Sequence, residues 1–232
     1  VTTPNADPRG AVAVLASGGL DSAVLTADFL RDGRVVQPIY VRFGLVWEAV
    51  EETHLRRFLH AVSSSDLRPL VTLDLPVADT YGAHWSLGAD DVPGAHTPDD
   101  AVYLPGRNLL LLSKSSIWCA LHGFRTIALG TLKGNPFADS SRDFFGAVEA
   151  LVYTAVDYRL EIVTPFSEFD KAQVLERGRR LPLQHTFSCI NPIRGLHCGQ
   201  CNKCAERQRA FADLSVDDAT TYASLEGSPG SA

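Results

Sequence analysis

Residues 11–22, AVAVLASGGLDS, decide how the rest of the chain is read. Ala11 to Ala16 is a run of six small or apolar residues bounded by glycine, the pattern of a buried parallel strand. Ser17, Gly18 and Gly19 follow, and a helix is predicted to open near Leu20. Two glycines let the backbone turn sharply and approach a ligand closely. The free N–H groups and positive end of the following helix favour an anion at such a turn. Ser17 and Ser22 add hydroxyls, whereas Asp21 tolerates a phosphate only across a cation or an amide. No lysine follows the second glycine, so the G-x-x-x-x-G-K-[ST] phosphate loop is absent.

Outward from this stretch, strand and helix alternate. Leu20–Arg31 reads as a helix ended by Asp32-Gly33, 35–43 as a strand weakened by Pro38, 47–62 as a second helix and 69–75 as a third strand. The alternation is that of a doubly wound parallel sheet of the α/β class. Residues 76–102 break the rhythm with glycine, proline and five aspartates, a length that predicts a functional or mobile segment. Beyond it lie a long apolar helix over 104–121 opened by Pro105-Gly106, a short strand over 126–129 ending at Gly130, an irregular stretch over 131–141, a helix over 142–158, a strand over 160–164 and a helix over 170–180 capped by Asp170.

With 232 residues, 45% hydrophobic and 21% charged, the chain suits one sizeable core with a small appendage. No window of about 18 uninterrupted apolar residues predicts a membrane span. Residues 1–10 lack the basic-then-apolar pattern of an export signal and are expected to be a flexible lead, as 226–232 are expected to be a tail, so a cytoplasmic location is the expectation. A net charge of −6 argues against broad nucleic-acid binding, which needs a basic face.

Four of the five cysteines cluster as C-x8-C-x2-C-x2-C: Cys189, Cys198, Cys201 and Cys204. Such clustering favours a metal over disulfides, and four thiolates suit tetrahedral zinc in a closed, structural site. An iron–sulfur cluster uses similar spacing, and CxxC pairs also perform redox chemistry; both stay open at this point. His197 is a substitute ligand, and His185, just before Cys189, is the other histidine worth locating.

SGGLDS resembles the pyrophosphate-binding signature of the ATP pyrophosphatase (PP-loop) superfamily, and its combination with the cysteine segment resembles the 7-cyano-7-deazaguanine synthase (QueC) family. YLPGRN (103–108), Thr164-Pro165 followed by Asp170-Lys171, and CINPIRGLHCGQCNKCAERQRAF (189–211) are similar to family segments in the same order. The resemblance implies an ATP-binding domain over 11–185 and a zinc-knuckle and helical segment over 186–225. It implies ATP and Mg2+ as well as Zn2+, and adenylation of the carboxylate of 7-carboxy-7-deazaguanine followed by C–N bond formation with ammonia. Residue by residue, it implies Ser17, Gly18, Gly19, Leu20, Asp21, Ser22 and Gly130 at the nucleotide, Asp21, Arg107 and Lys171 in catalysis, Arg107, Asn108, Asp139 and Arg142 at the acid substrate, the four cysteines on zinc, and a homodimer.

Two segments depart from the family. Phe43-Gly44 is followed by Leu45-Val46-Trp47 in place of Gln-Arg-His, and GNPFADSSR (134–142) lacks the family's Gly-Tyr and Cys. These departures motivate a second expectation: a paralogue that stops at an amide and ligates the deazaguanine to an amine of a protein or other macromolecule, a setting compatible with anti-phage defence. A tRNA sulfurtransferase and a non-catalytic nucleotide-binding protein are further alternatives. Trp85 and Phe137 are expected to pack, with stacking on a planar base as the other role.

Overall fold

The computed structural model describes residues 10–88 and 90–223. The expected lead over 1–10, except Gly10, and the tail over 226–232 lie outside the described residues. The elements are β1 (Val12–Leu15), α1 (Leu20–Arg31), β2 (Val36–Arg42), α2 (Glu48–Ala61), β3 (Val71–Asp74), short α3 (Ala78–Tyr81) and α4 (Trp85–Gly88), α5 (Arg107–His122), β4 (Thr126–Ala128), α6 (Arg142–Val156), β5 (Glu161–Val163), α7 (Lys171–Gly178) and α8 (Asn202–Asp213). The strands form one sheet in the order β3-β2-β1-β4-β5, with every pairing parallel. The predicted doubly wound α/β class is therefore observed.

The order explains the sequence pattern. β1 sits in the middle, all four of its residues are buried, and apolar side chains are needed on both faces. The chain runs from β1 outward through β2 to β3, then returns to β4 on the other side. A crevice opens where the winding reverses, beyond the C-terminal ends of β1 and β4. Both ends carry glycine: Gly18-Gly19 after β1 and Gly130 just after β4.

Pro38, a weak point in the strand expectation, lies inside β2 opposite Val14 of β1. Pairing of β2 with β3 begins only at Ile39 opposite Val71. Before that point the Gln37 amide donates to the carbonyls of Pro38 and Pro69, linking the segments where a ladder bond from proline is missing.

The 76–102 segment is held rather than loose. It contains α3, α4 and a 3-10 turn over Asp99–Val102. Asn202 donates its backbone N–H to Pro93 O and its side-chain amide to Thr97 O, at 2.9 and 2.8 Å. Segment 76–102 is thereby fastened to the cysteine segment. That segment in turn belongs to the main core, since Cys189, Cys198, Cys201 and Cys204 are buried in one cluster with Ala13, Ile39 and Ile127 of the sheet. No described helix is long and apolar enough to cross a membrane.

α7 opens with the capping box expected of Asp170, which accepts from Gln173 N while the Gln173 side chain accepts from Asp170 N. Its last residue, Gly178, lies against α1: a Cβ there would stand 2.5 Å from Val24 Cγ2. Helix propensity favours alanine over glycine by about 1 kcal/mol, but overpacking a filled contact costs about 1–3 kcal/mol. Urea denaturation of Gly178→Ala is expected to show net destabilisation, and a gain in stability would show that α1 and α7 do not meet this closely.

Candidate functional site

The crevice at the reversal point is a cleft of about 340 Å³. Its floor is the turn after β1. Gly18 adopts φ +79, and a Cβ there would stand 3.1 Å from Glu51 O and 3.2 Å from Glu51 Cγ, so both backbone sign and space require glycine. The Ser17 and Ser22 hydroxyls lie 3.1 Å apart, Gly19 N donates to Ser17 Oγ, and Ser22 Oγ donates to Gly19 O. Ser22 is buried and braces the turn from inside, while Gly19, Leu20 and Asp21 open α1 towards the cleft. Across the cleft floor, a Cβ on Gly130 would lie 3.1 Å from the Asp21 carbonyl carbon and 3.2 Å from Ser22 N. Strand β4 therefore approaches the start of α1 as closely as backbone allows.

Asp21 and Lys171, 150 residues apart, meet: Lys171 Nζ donates to both Asp21 carboxylate oxygens at 2.8 and 3.0 Å. Lys171 also pairs with Glu206 at 3.1 Å, and Glu206 pairs with Lys203 at 2.6 Å. Burial alone would raise the Glu206 carboxyl, but the two ammonium groups outweigh it and hold it at about 2. The Lys171 ammonium is likewise held charged: burial works against it, and Asp21 and Glu206 prevail.

Arg107 opens α5 behind Gly106 and lines the cleft, and its buried Nε has no hydrogen-bond partner among the described residues. An orphaned buried guanidinium N–H marks a place for an anionic group. Asn108 is tied to Asp139, its N–H donating to Oδ2 at 3.0 Å and its amide to the backbone carbonyl at 2.8 Å, and both residues line the cleft. Arg142 stands apart from its three expected companions. It donates to Ile162 O and pairs with Glu149 at 2.6 Å, which fixes it on α6 beside β5 and outside the cleft lining. This placement gives its expected contact with substrate no support.

Trp85 stacks on Trp47 at 5.6 Å and Phe137 on Tyr103 at 5.1 Å, so each packs as expected while also lining the cleft. Leu45 and Trp47 are buried in the same wall. The divergent Leu45-Val46-Trp47 segment thus makes one side of the cleft apolar.

Sequence reasoning passed over Tyr40, Glu48, Glu51, Lys203, Glu206 and Arg207, all of which line the cleft. Glu48 and Glu51 read as first-turn acids that suit a helix dipole. In the structure Glu48 accepts from Phe43 N and Gly44 N at 2.5 and 2.7 Å, and Glu51 accepts from the Tyr40 hydroxyl at 2.7 Å. Burial raises both carboxyls, Glu51 to about 7. Lys203, Glu206 and Arg207 lie in the 189–211 segment that resembles the family and were given no role of their own. The available signal was their spacing: with α8 starting one residue after Cys201, positions 203, 206 and 207 share a helix face.

The cysteine group lies directly behind this face. All four sulfurs are within 4.8 Å of one another, and the Cys198–Cys204 and Cys189–Cys201 pairs are 3.9 Å apart. Thiolates about 2.3 Å from a tetrahedral ion stand about 3.8 Å apart, so the donor set and its geometry fit zinc. Backbone N–H groups of Asn191 and Cys198 point at Cys189 Sγ, and those of Gln200 and Cys201 at Cys198 Sγ, as thiolate charge favours. His197 is not a member of the group: its Nε2 accepts from Ser188 N at 3.1 Å, and burial lowers its pKa to about 3, keeping it neutral. His185 ends a 3-10 turn over Leu183–His185, also outside the group.

One bond links the cysteine segment to the turn, and the Arg207 side chain fixes the segment that makes it. Phe187 N donates to Gly18 O at 2.8 Å. Arg207, fully buried, donates to Thr186 Oγ1, Leu183 O and Thr220 Oγ1, clamping α8 to the segment that carries Phe187.

A parallel sheet with an SGGLDS turn at its reversal point defines the class: an ATP pyrophosphatase-type (PP-loop) α/β protein. The family model described as "Queuosine biosynthesis protein QueC" matches residues 11–215, and the chain belongs to that family. It is similar to 7-cyano-7-deazaguanine synthase from Chlorobaculum tepidum, 29% identical over 90% of this chain and 95% of that protein. It is also similar to the enzyme of that name from Solidesulfovibrio magneticus, 33% identical over 93% and 96%. A 4-thiouridine synthetase–RNA complex with bound ATP aligns at 16% identity over 89% of this chain and 50% of that one, with a TM-score of 0.49, too loose to carry an inference.

Elemental analysis of the purified protein is expected to find one zinc per chain, and Cys204→Ser is expected to lose both the metal and thermal stability. A metal-free protein of unchanged melting temperature would refute the zinc assignment. The Glu206 carboxyl gives a second test. Its folded pKa lies below the ordinary carboxylate value, so its stabilisation is present above about pH 4.5 and lost as pH falls towards 2. The stability gap between the unsubstituted protein and Glu206→Gln is expected to be largest above about pH 5 and to close by about pH 2; a pH-independent gap would show that the Lys171 and Lys203 pairs are not formed.

Proposed function

We propose that this chain is an ATP-dependent carbon–nitrogen ligase that activates the carboxylate of 7-carboxy-7-deazaguanine and, with ammonia, forms 7-cyano-7-deazaguanine. The observation that carries the reading is the convergence at one cleft of the Ser17–Ser22 turn, the unpartnered Arg107 Nε and the Asp21–Lys171 pair. The names of the curated relatives supply the substrate.

A carboxylate is a poor electrophile until its oxygen becomes part of a leaving group. In this reading the turn and α1 hold the ATP phosphates, and Asp21 would hold a Mg2+ that neutralises phosphate charge. Arg107 orients the carboxylate, with Asn108 and Asp139 fixing the start of α5. The carboxylate oxygen attacks the α-phosphorus and pyrophosphate leaves, its charge met by Lys171 and Lys203. Ammonia then forms the C–N bond as AMP departs, and a second ATP-dependent activation of the amide oxygen removes it to leave the nitrile. Zinc in this reading braces Phe187 and α8 and takes no part in the chemistry.

One observation favours a second product. Leu45 and Trp47, which with Trp85 make one wall of the cleft apolar, stand where the family carries Gln-Arg-His, and this departure suits a chain that stops at an amide with a macromolecular amine. A homodimer is also proposed, supported by exposed Leu109, Ile117 and Leu121 on one stripe of α5 and Leu151 on the adjoining α6.

The test is incubation with ATP, 7-carboxy-7-deazaguanine and ammonium, with products read by mass spectrometry. Nitrile with AMP is the expected result. AMP with amide or adenylate alone would support the second reading, and no acid-dependent ATP consumption would overturn the proposal. Sedimentation equilibrium tests the dimer, which a monomeric mass would exclude.

A further inference from the structure

Five carboxylates line the cleft, and four are committed elsewhere. Asp21 and Glu206 hold Lys171, Asp139 holds Asn108, and Glu48 spends both oxygens on the N–H groups of Phe43 and Gly44. Glu51 is different. One of its oxygens accepts from Tyr40, and among the described residues no protein donor reaches the other. No cation lies within ion-pair distance of it among those residues; the charge with the largest effect on it is the Arg107 guanidinium. Its side chain packs beneath Gly18, at the turn where the proposed acyl adenylate would form.

We propose that Glu51 accepts the proton of the amine that attacks the activated carboxylate, with Tyr40 as the residue that positions it. The proposal rests on the activation reading above. It names the missing chemical partner of that reading, since a neutral amine becomes positively charged as it attacks and the C–N bond persists only when nitrogen sheds its surplus proton. The balance is simple. The amine lone pair forms the bond to the acyl carbon, the carbon–oxygen bond to the phosphate breaks, AMP leaves with that electron pair, and the surplus proton on nitrogen passes to the Glu51 carboxylate and then to solvent. The charges also sort the two reactants: Arg107 draws the carboxylate of the acid, while Glu48 and Glu51 repel it and favour the positive charge that develops on the attacking nitrogen.

The environment suits this work. Burial raises the Glu51 carboxyl to about 7, with Glu48 pushing in the same direction and Arg107 and the Tyr40 hydrogen bond opposing it. A base of that pKa is half ionised near neutral pH, where proton transfer is most effective. Tyr40 itself stays protonated, since burial and the neighbouring Glu51 raise its pKa further.

The experiment separates the two half-reactions. Acid-dependent exchange of pyrophosphate into ATP reports activation, and amide plus nitrile formation from ammonium reports amine attack. Glu51→Gln is expected to slow product formation by about a hundredfold or more while exchange changes less than about threefold. At a constant concentration of free ammonia, the rate of the unsubstituted protein is expected to rise with pH through about 7, and that limb should vanish in Glu51→Gln. Tyr40→Phe removes a hydrogen bond that favours the ionised acid, so the limb should move to higher pH. Equal loss of exchange and product formation in Glu51→Gln, with the limb of Tyr40→Phe unmoved, would make Glu51 a structural residue. Full product formation by Glu51→Gln would place the base elsewhere. Absence of acid-dependent exchange in the unsubstituted protein would remove the activation reading, and this proposal with it.

Discussion

Everything in this molecule closes on the carbonyl and N–H groups of one turn, Ser17 to Gly19. Glu51 of α2 lies against Gly18 on one side, Gly130 lets β4 reach the start of α1 on the other, and Phe187 N takes the Gly18 carbonyl from the cysteine segment. A turn of three residues has no backbone ladder to hold it, and its Ser17 and Gly19 N–H groups go to the Ser22 and Ser17 hydroxyls. It is held by its serine hydroxyls and by neighbours distant in sequence. That constraint explains why glycine recurs at the ends of the two strands flanking the reversal point, and why a cysteine group outside the sheet belongs to the same core.

The electrostatics follow the same geometry. The cleft carries Lys171, Lys203, Arg107 and Arg207 together with five carboxylates, and Asp21, Lys171, Glu206 and Lys203 form one chain of ion pairs among them. The pairs keep Lys171 charged and in place, and an incoming phosphate need only exchange partners with a lysine already positioned. Glu51 has no such partner and stands against the loop, which sets it apart from the acids that serve structure.

How much of this was legible in the chain depended on the range of each signal. The α1 helix, the cap at Asp170 and the parallel order rest on local patterns: apolar spacing, an Asp-x-x-Gln box, and strand–helix alternation. The Asp21–Lys171 pair emerged because each residue lay in a recognisable motif, although their contact is a property of the fold. Arg142 shared a divergent motif with Asp139, but Asp139 sits in a 3-10 turn facing the cleft while Arg142, past an extended Ser141, opens α6 and turns towards Glu149. Glu48, Glu51, Lys203 and Glu206 were invisible for a different reason. Charged residues at helix starts read as solvated, and only tertiary packing buries Glu48 and Glu51 and half-buries Lys203 and Glu206. The 76–102 segment likewise looked loose because its anchors, Pro93 O and Thr97 O, are backbone atoms bound by Asn202 from the far end of the chain.

The central claim is that the Ser17–Ser22 turn is the phosphate site of an ATP-activating cleft. A crystal structure with α,β-methylene-ATP, which cannot be cleaved between the α and β phosphates, tests it most directly. The account predicts the triphosphate over the N-terminus of α1, with Lys171 turned from Asp21 or Glu206 towards phosphate oxygen. A nucleotide bound elsewhere, or a turn left free at saturating analogue, would contradict it.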